Sequence, residues 1–107
     1  MTTIRELVLD ALKATGEKSE DLVCFYQDRR GEPYPWTKDS APTLRTTFDG
    51  LPEREYDAGY GGLGGPPFIA FSKKYVYISI QYDGSEDVVA IPRHPKHVGK
   101  VIPWPGG

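Results

Sequence analysis

Residues able to do chemistry are few in this chain and widely spaced. Its one cysteine, Cys24, lies inside the apolar run LVCFYQD (22–28), and its two histidines, His94 and His97, stand three apart in RHPKH with Pro95 between them. A thiol nucleophile needs a histidine and an orienting group beside it, whereas a cysteine between Val23 and Phe25 is expected to act as a small buried hydrophobe. Two histidines and one cysteine are a thin ligand supply for a tetrahedral metal, with Asp83, Glu86 or Asp87 as the nearest oxygen donors in sequence. Carboxylates cluster at Asp49, Glu53, Glu55 and Asp57, and Asp83 and Glu86 flank a turn. Paired-acid catalysis, however, needs a cleft built by a larger scaffold. The sequence has no G-x-S-x-G elbow and no Gly-Lys-Ser/Thr phosphate loop. These residues nominate no catalytic group, no metal and no cofactor.

The run GYGGLGG (59–65) contains G-x-G-x-x-G at Gly59, Gly61 and Gly64. A dinucleotide fingerprint opens a helix whose first amides meet the pyrophosphate; here Pro66, Pro67 and the strand-like FIAFS follow. The glycines are therefore read as a turn with a positive φ among them, and the prolines as what sets the direction of the next strand.

The elements that must position these residues are legible in part. Thr3 and Glu6 form T-x-x-E, a capping box, and Ile4, Leu7, Val8, Ala11 and Leu12 repeat at helical spacing until Gly16. LVCFYQD predicts a strand, followed by a turn at Arg29-Arg30-Gly31 and an irregular or edge arm at EPYPW. A helix from Ser19 through Tyr26 is the competing reading. The threonines of LRTTFDG with Phe48 predict a short strand, and Asp49-Gly50 with Pro52 a turn. Residues 68–72, 75–81 and 87–91, joined at Lys73-Lys74 and at DGSE (83–86), predict a three-stranded antiparallel meander. Within it Val76, Ile78 and Ile80 share one face and Tyr75 and Tyr77 the other. The aliphatic set is expected to meet Leu7, Val8, Ala11 and Leu12. The whole is an α+β chain: an N-terminal helix packed on an antiparallel sheet, with long Gly/Pro-rich loops.

Length and composition bound the function. The chain has 107 residues, 38% hydrophobic and 26% charged, which suits one domain over 1–107. Its net charge of −2 argues against a surface built to neutralise phosphates, so no direct nucleic-acid partner is expected. Charge is nevertheless divided: residues 1–67 hold eight basic and twelve acidic side chains, residues 68–107 five and three. A single cysteine excludes an internal disulfide, and MTTIRELVLD has neither the basic start nor the apolar core of a signal peptide, so a cytoplasmic location and no membrane are expected.

What remains is aromatic. Tyr75 and Tyr77, on the face assigned away from the core, with Tyr60 and the acids Glu53, Glu55 and Asp57, form the expected partner-binding surface, because an aromatic anchor rimmed by charge supplies affinity and orientation. Arg93, Lys96 and Lys100 are the alternative contact, for an anion or a partner. The stretch YDAGYGGLGGPPFIAF…VYISIQYDGSEDVVAIPRHP, about residues 56–95, resembles small uncharacterised phage and prophage proteins, which show Gly-Tyr-Gly, Pro-Phe, a Val-Tyr strand, Tyr-Asp-Gly and Pro-Arg-x-Pro. That resemblance implies a compact protein that binds a host or phage protein complex, nucleic-acid-binding ones included, as an inhibitor of a bacterial defence system of the anti-CRISPR type. The expectation is thus non-enzymatic protein–protein binding. A small-ligand or nucleotide binder and a small metal-dependent hydrolase at His94 and His97 are the alternatives.

Overall fold

A computed structural model describes residues 2–27, 42–53, 66–82 and 85–98. Helix α1 (Ile4–Thr15) starts where the capping box places it: the Thr3 hydroxyl accepts the Glu6 N–H at 3.2 Å. It stops at Gly16, whose φ of 76° lets its N–H donate to the Leu12 carbonyl at 2.8 Å. Among the described residues five strands follow: β1 (Val23–Gln27), β2 (Thr43–Thr46), β3 (Phe68–Phe71), β4 (Tyr75–Tyr82) and β5 (Ser85–Pro92). They form one antiparallel sheet in the order β2-β1-β3-β4-β5. The α+β architecture and the C-terminal meander are those expected.

The helical alternative for residues 19–26 is overturned. Only Ser19–Asp21 turn, as a short 3-10 helix, and β1 then pairs on both sides, with β2 and with β3. The threonine strand ends at Thr46, before Phe48, which begins a 3-10 turn over Phe48–Gly50. Arg5 holds that turn against the helix: its guanidinium donates to the carbonyls of Asp49 at 2.8 Å and Leu51 at 3.1 Å. Phe48 and Leu51 are thereby buried in the core with Ile4 and Val8. The turn expected at residues 29–31 and the EPYPW arm lie outside the described residues.

The register within the sheet is the reverse of the expected one. Tyr77 is fully buried beneath α1, with Cys24, Ala70 and Val88, while Val76, Ile78 and Ile80 lie half-buried on the opposite face. The reason lies in the row that crosses the sheet under the helix, Cys24–Ala70–Tyr77–Ala90. Alanines on either side of Tyr77 leave room for its ring, and its hydroxyl emerges just past the end of α1. There it donates to the Glu17 carboxylate and lies 2.9 Å from the Thr15 hydroxyl. A tyrosine is buried without penalty when its body fills a hole and its tip finds a partner. Burial, and then the Glu17 carboxylate, push its phenol well above the usual range. The other face is also apolar, with Phe25, Ile69 and Phe71 beside Ile78, so aliphatic content does not mark the helix-facing side.

Candidate functional site

The hairpin turn between β3 and β4 is built by Ser72. Its buried hydroxyl donates to Glu17 at 2.6 Å and accepts the N–H groups of Lys74 at 3.3 Å and Tyr75 at 3.0 Å. With the backbone so fixed, Lys73 and Lys74 point to solvent. The chain leaving β5 is tied to the same turn: the Arg93 N–H donates to the Lys74 carbonyl at 2.8 Å and its guanidinium to the Ser72 carbonyl at 2.5 Å. A 3-10 turn over Pro95–His97 then carries His94, Lys96 and His97. Two segments twenty residues apart are so gathered into one basic corner of Lys73, Lys74, Arg93, Lys96 and two histidines.

His97 reports the field of that corner. Its imidazole is half-buried, with Nδ1 enclosed and without a hydrogen-bond partner. Desolvation first, then the charges of Lys96 and Lys74 and the neighbouring His94, hold its proton affinity below the ordinary imidazole value, while Glu17 acts in the opposite sense. The unfolded chain therefore binds this proton more tightly than the folded one. The associated stability is complete above the ordinary imidazole pKa and is lost as pH falls through it toward the lowered folded value. The melting temperature is expected to drop between pH about 7.5 and about 5.5, and the drop to be shallower in His97→Gln.

Beside the corner runs a groove of about 600 Å³ between α1 and β5. It is open because the facing residues are small: Ala11 and Ala14 on the helix, Ala90 on the strand. Tyr75 and Pro92 form its floor next to His97, and Asp10 and Asp87 stand among its lining residues. The site thus offers a mainly apolar slot, bordered by Asp10 and Asp87, with a half-buried tyrosine and four formal cations gathered beside it.

Of the residues expected at a partner surface, Tyr77 is excluded by its complete burial, and Tyr75 remains, lining the groove. Glu53 is exposed but ion-paired with Arg5 at 3.1 Å, on the segment that closes the core. Arg93 and Lys96 are at the basic corner. Glu55, Asp57, Tyr60 and Lys100, and the glycines at 59, 61 and 64, lie outside the described residues. Sequence reasoning missed Lys73 and Lys74, which it treated only as a turn; their signal was a Lys-Lys pair at a hairpin tip, where side chains must face solvent.

The remaining chemical candidates are accounted for. His94 and His97 meet edge to face with ring centroids 6.0 Å apart, and among the described residues no group of three or more His, Cys, Asp or Glu could hold a metal ion. Cys24 is fully buried, and burial pushes its thiol up to about 11. Labelling of Cys24 by a maleimide at neutral pH is expected to be at least about a hundredfold slower in the folded chain than in urea; equal rates would contradict its burial. Among the described residues no helix is long and apolar enough to cross a membrane. No protein-family model, curated protein or solved structure matches the chain.

Proposed function

We propose that the chain is a non-enzymatic binding protein that docks on an acidic protein surface through the basic corner and the α1/β5 groove. Its most specific form is a phage-encoded inhibitor of a bacterial defence complex, of the anti-CRISPR type. One observation carries the docking reading: Lys73, Lys74, Arg93 and Lys96 are gathered next to an apolar slot floored by Tyr75, on a chain whose net charge is −2. An apolar anchor with a charged rim is the arrangement that gives a small protein both affinity and orientation. Four cations on an otherwise acidic chain fit a local acidic patch better than the extended charge of a nucleic acid. The finer reading draws its support from the resemblance over residues 56–95.

Affinity capture from a bacterial lysate tests it, with Lys73→Glu/Lys74→Glu/Lys96→Glu as the paired bait. A stoichiometric protein retained by the parent and lost by the charge-reversed bait is the expected result. Equal capture by both baits overturns the docking surface. A melting temperature raised by a nucleotide, with no protein captured, favours a small-ligand binder instead. For the finer reading, expression of the chain is expected to restore phage plating on a host defended by the captured complex; unrestored plating overturns it.

A further inference from the structure

We infer that the sheet face turned away from α1 packs against the same face of a second copy of this chain, as a weak two-fold dimer. Phe25, Ile69, Ile78 and Val89 lie side by side across four strands of that face, each half-buried and none fully so. The row is bounded by opposite charges. At the β2 edge the exposed Arg45 pairs with Phe25 and holds its guanidinium 5.8 Å over that ring. At the β5 edge the exposed Asp87 shares the face, two residues along the strand from Val89.

A two-fold axis parallel to the strands turns this face onto itself and lays β2 of one copy over β5 of the other. Arg45 of each copy then faces Asp87 of its mate, so the complementary pair occurs twice. An axis across the strands would instead bring the two Arg45 edges together and is disfavoured. The offset along the strand, two residues or about 7 Å, is within reach of an arginine side chain. Five strands about 4.8 Å apart and averaging about six residues present about 500 Å², or about 1,000 Å² over both copies. That area sits at the threshold of a specific interface, so association is expected at micromolar or higher concentration. Tyr75, Ala90 and Pro92, which line the groove, lie on the helix-facing side of the sheet and stay open in this arrangement, while Asp87 and Val89 on the edge strand border both the groove and the paired face.

Analytical ultracentrifugation of the full chain from about 1 to about 500 µM tests the dimer. The average mass is expected to rise from one chain to two, and Ile78→Asp to remain monomeric. Arg45→Asp or Asp87→Arg alone should weaken association at least about tenfold, and the two together should recover most of it. Both charged residues are exposed, so this exchange stays informative if Ile78→Asp fails to fold. A parent that is monomeric throughout overturns the inference, as does a dimer indifferent to both charge reversals. Neither outcome depends on the capture experiment.

Discussion

Tyr77→Ala is expected to lose about 3–5 kcal/mol in urea unfolding, a large share of a small domain's stability. The ring is fully buried between Ala70 and Ala90 beneath α1. Alanine there leaves a hole that two neighbouring alanines cannot collapse into. It also removes the hydroxyl that serves Glu17 and Thr15. Tyr77→Phe separates the two contributions: it keeps the ring and strips one donor from a half-buried carboxylate, for an expected loss of about 1–3 kcal/mol. Ile78→Ala, on the half-buried face, should cost less than Tyr77→Ala. The opposite ranking would mean that the aliphatic face, not the tyrosine face, meets the helix.

Charge reversal of the basic corner carries the largest functional effect. Lys73→Glu/Lys74→Glu/Lys96→Glu replaces three exposed cations with anions, a change of six charges on one corner. The association rate with the captured partner is expected to fall about 10–100-fold at low salt. The difference should shrink as ionic strength rises from about 0.05 to about 0.5 M, where screening shortens to a few Å. Arg93 is left in place because its guanidinium holds the Ser72 carbonyl, and its loss would disturb the hairpin rather than only its charge. Surface plasmon resonance at several salt concentrations measures this. An unchanged rate at low salt would remove the corner from the docking surface.

Legibility followed the range of the interactions. Helix α1 was readable to the residue because its signals are local: a hydroxyl three residues from an amide, and a glycine where the chain must turn left-handed. The meander was readable because few residues separate its strands, so neighbours in sequence are neighbours in the sheet. The basic corner was half visible. Arg93 and Lys96 were noted as a charged tail, but their union with Lys73 and Lys74 depends on the Arg93 N–H reaching the Lys74 carbonyl across the β4–β5 register.

The sequence by itself determined an α+β chain with a capped N-terminal helix, three consecutive antiparallel strands, and one buried thiol. Only the tertiary structure decided that β1 is an inner strand between β2 and β3, since those pairings join segments far apart in sequence. It also decided which face of β4 lies beneath the helix. Alternation assigns residues to two faces but not the faces to their surroundings. Here both faces are apolar enough to be buried, and the choice fell to shape and hydrogen bonding: the alanines flanking Tyr77 and the Glu17 carboxylate waiting for its hydroxyl.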